Sequence, residues 1–153
     1  MSVIAWDGIT VAADRQVTSE MLICEARKLF LVKGYAVGFV GTLAPGMLLL
    51  EWFKRGAKKE EWDQEMQSSE VGSSLIVVGK KKVWEISEYP YFCNVHDSAW
   101  AWGAGREVAL GAMAAGADAL EAVEAAIRLN VCCGVGVDSF SCSGLSGKGV
   151  KVG

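Results

Sequence analysis

Serine follows the initiator methionine. Ser2 is small enough for Met1 to be removed, and it would then carry a hydroxyl and a free α-amine on one residue. An α-amine titrates at about 7.7–8.0. It can therefore take the hydroxyl proton, directly or through water, and no histidine is needed to make the oxygen a nucleophile. Such a site needs three helpers: a cation near the amine and hydroxyl, an anion to hold that cation, and backbone N–H groups for the oxyanion. Retention of Met1 would block the amine. Many chains begin Met-Ser, so the dipeptide by itself decides nothing.

Other chemistry is poorly supplied. The single histidine, His96, follows Asn94-Val95 and precedes Asp97, with no G-x-S-x-G segment to supply a serine partner. GAGREVALGAMAAG contains G-x-G but lacks the third glycine of a dinucleotide loop, and no Walker-type motif occurs. The cysteines are Cys24, Cys93, Cys132, Cys133 and Cys142, with no C-x-x-C pair. No metal site and no cofactor are expected, and the five cysteines read as free, buried thiols in a reducing cytoplasm. The six tryptophans read as core or subunit-interface residues, with Trp100 and Trp102 on one face of a strand. Lys80–Lys82 reads as a solvated hairpin tip, with a phosphate or partner contact as the alternative.

The elements that would position these residues begin with strands. Val3 to Trp6 and Ile9 to Ala13 flank Asp7-Gly8, and Lys28 to Val32 and Tyr35 to Gly41 flank Lys33-Gly34; both spacers are hairpin signals. Met21 to Cys24 is a short extended piece. Pro45 to Arg55 turns helical, with Gly56 as its stop. Residues 57 to 72 are the most polar stretch and are left open between loop and short helix. Ser74 to Val78 and Lys82 to Ile86 form another hairpin. Tyr89 to Val95 and Ala99 to Trp102 read as extended. Gly105 to Ala115 and Asp118 to Leu129 are helices, the second opened by Asp118 with Glu121 in a capping box. Two further strands are expected between Gly134 and Val152. Strands, helix, strands, two helices and strands predict an α+β fold with mainly antiparallel sheets.

The 153 residues suit a single domain, 1–153, and the net charge of -3 argues against a nucleic-acid partner. The most apolar stretch, Tyr35 to Leu50, is too short and too broken by Pro45-Gly46 to span a membrane. No signal peptide is expected, and a cytoplasmic location follows.

Four segments in order carry a resemblance: SVIA from Ser2, GITVAAD ending at Asp14, RKLF around Lys28, and VGFVG ending at Gly41. With Trp102-Gly103-Ala104-Gly105 and the alanine-rich helices after it, the sequence resembles the proteasome β-subunit and HslV peptidase superfamily of N-terminal-nucleophile hydrolases. It is closest to the short proteasome-like proteins of phage and bacterial genomes. The resemblance implies a four-layer αββα sandwich. It implies catalytic roles for Ser2 as nucleophile, Lys28 as the cation, Asp14 as its orienting anion, and Gly41 as an oxyanion N–H. It also implies self-association into a ring, a separate ATPase unfoldase and a peptide or protein substrate.

Departures from the family fall at the supporting positions. Serine stands for threonine at Ser2, Ala104 for a serine, Asn130 for an aspartate and Cys133 for a serine. Two functions are therefore expected. One is a serine-type proteasome-like peptidase or amidase. The other is a catalytically inactive proteasome-fold protein with a structural or assembly role, in a phage setting.

Overall fold

The computed structural model describes residues 2–63, 66, 72–148 and 150. Strands β1 (Val3–Trp6) and β2 (Thr10–Asp14) pair antiparallel, with Ile4 opposite Ala13. Strand β10 (Trp100–Gly103) joins the other edge of β1, and β11 (Val137–Ser141) joins β2, giving the order β10-β1-β2-β11. A second sheet runs β5 (Leu29–Val32), β6 (Tyr35–Val40), β7 (Ser74–Val78), β8 (Val83–Ile86) and β9 (Cys93–Val95), all antiparallel. A separate hairpin, β3 (Gln16–Ser19) and β4 (Leu22–Glu25), stands between the two sheets in sequence.

Alternation of side chains along β1 explains the layering. Ile4 and Trp6 pack with Val11, Ala13, Ile76 and Val83 between the two sheets. Val3 and Ala5 point the other way, onto Ala109, Ala122, Val123 and Ala126 of helices α2 (Arg106–Ala114) and α3 (Ala119–Leu129). The outer face of the second sheet, Val37, Phe39 and Val77, is covered by Leu49, Leu50, Trp52 and Phe53 of helix α1 (Leu43–Lys54). The layers are therefore helix, sheet, sheet, helix, as expected. A strand buried on both faces reads as a continuous apolar run, and all four residues of β1 are buried.

Local signals fix several ends. Asp118 accepts from Glu121 N at 2.8 Å while the Glu121 carboxylate accepts from Asp118 N at 2.9 Å, the expected capping box. Asp7 Oδ2 accepts from Ala119 N at 2.8 Å, tying the start of α3 to the β1–β2 turn. Lys33 and Gly34 both have positive φ, 51° and 79°, and close the β5–β6 hairpin.

Some expectations are corrected. The extended piece at Met21 to Cys24 is one arm of a hairpin whose other arm is Gln16–Ser19. Only Cys93–Val95 of Tyr89 to Val95 is a strand, because Pro90 interrupts the ladder. One strand, not two, lies between residues 134 and 148; a short 3₁₀ turn, Cys142–Gly144, follows it. In the polar stretch, Lys59–Glu61 is a 3₁₀ turn, and 64–65 and 67–71 lie outside the described residues. Cys133 and Cys142 are buried, but Cys24 and Cys93 are exposed and Cys132 is half-buried. The exposed pair sit on β4 and β9, the peripheral strands. Among the described residues, no helix is long and apolar enough to cross a membrane.

Candidate active site

Three chain segments reach the same end of the two sheets: the start of β1, the end of β2 and the approach to β5. Ser2, Asp14 and Lys28 stand there, at 1%, 0% and 3% exposure. Asp14 is the hub. Its Oδ1 accepts from Val3 N at 2.9 Å and from Lys28 Nζ at 2.8 Å. Its Oδ2 accepts from Gln16 N at 3.2 Å and Gly134 N at 3.0 Å. Every partner donates, which suits an acceptor-only carboxylate. One oxygen therefore ties the backbone beside Ser2 to the lysine ammonium.

Lys28 also donates to the Gln16 carbonyl at 2.7 Å. Burial disfavours its charge and lowers its pKa; the neighbouring Asp14 carboxylate opposes that shift. Burying a charge without a partner is costly, so Asp14 is what allows a lysine here. The Ser2 hydroxyl oxygen is buried with no hydrogen-bond partner among the described residues. A buried unsatisfied hydroxyl is uncommon and costs free energy.

Two glycines hold the Ser2 backbone from β10 and its exit. Gly103 has φ 91°, and a Cβ there would strike the Ser2 carbonyl and come within 3.3 Å of Val40 Cγ1. Gly105 N donates to Ser2 O at 3.3 Å. Val40 ends β6, and Gly41 follows with φ 101°. A Cβ at Gly41 would lie 2.6 Å from the Gly72 carbonyl and 2.9 Å from Ser73 Oγ. Ser73 is buried; its Oγ accepts from Thr42 N at 3.0 Å and donates to Thr42 O at 3.1 Å. Gly41 thus sits in a turn pinned from β7, next to the strand end that touches Gly103.

The supporting positions also converge, in an unexpected way. Asn130 Nδ2 donates to the Ala104 carbonyl at 2.8 Å, and its Oδ1 accepts from Cys132 N at 2.9 Å. Its side chain joins the Gly103–Gly105 turn to the loop that carries Gly134. Ala104 is exposed and offers a methyl group only. Cys133 is buried with Val3 and Ala126. Its thiol is pushed up to about 12 by burial first and Asp14 second, so it stays protonated and packs as an apolar group.

Similarity to solved structures is extensive. BPH of Thiobacillus denitrificans, a bacterial proteasome homologue, matches with a TM-score of 0.71 and 18% identity over 97% of this chain and 100% of that one. Its complex with epoxomicin gives 0.68, at 18% identity, over 92% and 97%. Eukaryotic HslV from Trypanosoma brucei gives 0.66, at 24% identity, over 92% and 97%. This chain has the HslV fold. No protein-family model matches the sequence, and no curated protein does.

Within the HslV-like frame, sequence reasoning missed three positioning residues. Gln16 is 4% exposed, donates from Nε2 to the Val131 carbonyl at 2.8 Å and offers its own carbonyl to Lys28. Gly134 supplies one of the N–H groups on Asp14. Ser73 pins the turn after Gly41. Gln16 had a weak signal, since it follows Asp14 by two residues and so shares its side of an extended chain. Gly134 and Ser73 had none, because both act across long sequence separations. His96 shares no hydrogen bond with this centre among the described residues; its Nδ1 lies 3.4 Å from Asn94 Nδ2 at an exposed position. Among the described residues no cluster could hold a metal ion.

Proposed function

We propose that this chain is a serine-type N-terminal-nucleophile hydrolase, a peptidase or amidase. The observation that carries the reading is the single Asp14 oxygen that joins Val3 N to Lys28 Nζ beside the unpartnered Ser2 hydroxyl. After removal of Met1, the Ser2 α-amine takes the Oγ proton, and Oγ attacks the substrate carbonyl carbon. The resulting oxyanion is assigned to the Gly41 N–H. The amine then passes its proton to the leaving amine as the C–N bond breaks, leaving an ester on Ser2. Water, deprotonated by the same amine, hydrolyses that ester and restores the hydroxyl. Lys28 uses two of its three ammonium protons on Asp14 and Gln16; the third can turn to Ser2 Oγ once the chain begins at Ser2, which would lower the proton affinity of the oxygen. Self-association into a ring, an ATPase partner and a cytoplasmic setting accompany this reading by analogy with HslV.

Epoxomicin, found with the bacterial homologue, is the probe. Incubation should add one inhibitor mass to the chain, on the N-terminal Ser2 peptide, and Ser2→Ala should take none. Absence of an adduct on a chain that begins at Ser2 would refute the reading.

A second reading is a non-catalytic ring component. Ala104 and Asn130 favour it: one has no polar side chain, and the other spends its amide on backbone groups. On that reading Ser2→Ala leaves the biological role intact.

A further inference from the structure

The β5–β6 hairpin has a second end, remote from Ser2, and a cavity of about 310 Å³ opens there. Its walls are Tyr35 at the start of β6, Trp84 on β8, the strap at Ser146 and Gly147, and Lys80, Lys81 and Lys82 from the β7–β8 turn. Gly79 N donates to Lys82 O at 2.8 Å, which closes that turn and gathers the three lysines. The strap is fixed by Ser146 N and Gly147 N, both donating to Gly34 O at 3.0 Å, and by Lys148 N donating to Lys33 O at 2.9 Å.

Three features mark this cavity as more than a solvated tip. None of the three lysines has a carboxylate within ion-pair distance among the described residues, although acidic residues outnumber basic ones in the chain. Tyr35, on the cavity wall, is only 6% exposed, so most of its ring is shielded from water. The Tyr35 and Trp84 rings meet edge to face, centroids 6.2 Å apart, so an aromatic wall stands under a cationic rim. The volume falls at the small end of the range for small-molecule sites.

We propose that this cavity binds a small phosphorylated ligand that carries an aromatic ring, such as a nucleoside monophosphate. The lysines meet the phosphate as mobile point charges, the Tyr35 hydroxyl offers a further donor, and Trp84 offers apolar surface to the ring. Nothing in this assignment depends on the hydrolase reading.

Calorimetric titration of the full chain with adenosine 5′-monophosphate, and separately with inorganic phosphate, tests it. The expected result is saturable binding of the nucleotide at one site per chain, at least about fivefold tighter than phosphate because the base adds stacking. Changing Lys80, Lys81 and Lys82 together to Gln should weaken it about tenfold or more at low salt. Tyr35→Phe should weaken it severalfold with an unchanged melting temperature. No saturable nucleotide binding, binding no tighter than phosphate, or full binding in the triple variant would overturn the proposal. The lysine changes lie on an exposed turn, so a melting curve matching the parent's separates lost binding from lost folding.

Discussion

The two ends of the β5–β6 hairpin treat lysine in opposite ways. At one end Lys28 is 3% exposed and bound at 2.8 Å to Asp14 and 2.7 Å to the Gln16 carbonyl. At the other, Lys33 in the hairpin turn is exposed and Lys80–Lys82 line a cavity, with no carboxylate partner for any of them among the described residues. The sequence distance between Lys28 and Lys33 is one strand. The difference lies in what the rest of the fold delivers: β2 brings a carboxylate to one end, and only turns reach the other. A buried lysine with two fixed acceptors is held in one geometry, as the proposed catalytic role requires. An exposed group of lysines adapts to an incoming anion instead.

Breaking the buried end should have the largest effect. Asp14→Ala leaves the Lys28 ammonium buried without its anion and strands the N–H groups of Val3, Gln16 and Gly134. Denaturant unfolding should show a loss of about 3–5 kcal/mol. A loss below about 1 kcal/mol would mean that the Asp14–Lys28 pair is not the buried hub described above. At the exposed end, Lys81→Gln should change stability by less than about 0.5 kcal/mol.

Next in size is Asn130→Ala, which removes the links to Ala104 O and Cys132 N. A loss of about 1–2 kcal/mol is expected by the same measurement. Ser2→Ala should abolish epoxomicin labelling. It should cost no stability, since the hydroxyl oxygen is buried without a partner and its removal relieves that burden.

The pH dependence sharpens the contrast further. Lys28 binds its proton less tightly when folded than in the unfolded chain, where its value is 10.5. Over the window below 10.5 the unfolded state holds more protons, so this group makes stability rise with pH. Cys133 is opposite in sign. Its folded value of about 12 lies above the unfolded 9.0, so its contribution falls as pH rises from 9.0 towards 12. Stability profiles of Lys28→Met and Cys133→Ala should each lose one limb, and the exposed lysine variants should lose neither. The smallest effect is expected for Ala104→Ser. Its exposed position predicts a stability change within about 0.5 kcal/mol, while a gain in hydrolysis rate would mark the serine that the resemblance implies there as an aid to the Ser2 site.

Much of the frame was legible because local signals and global packing agree in it. The Asp7-Gly8 and Lys33-Gly34 turns, the Asp118 capping box and the doubly buried run of β1 each follow from short-range chemistry. Pairings that depend on distant segments were not legible. The Gln16–Ser19 strand has polar residues on a small separate hairpin, so no apolar alternation announces it. Cys24 and Cys93 read as buried by residue type, yet peripheral strands leave them exposed. At the site, the resemblance brought Ser2, Asp14 and Lys28 forward, and the fold brings the three to one end of the sheets. The structural uses of Asn130, Gln16 and Ser73 lie in side-chain bonds to backbone groups far along the chain, which no spacing encodes.

The central claim is that Ser2 becomes the N-terminal nucleophile, and the most direct test is the intact mass and N-terminal sequence of the protein made in its natural setting. A chain beginning at Ser2 is the predicted result. A chain that keeps Met1 would leave the Asp14–Lys28 centre without its base and would contradict the hydrolase account.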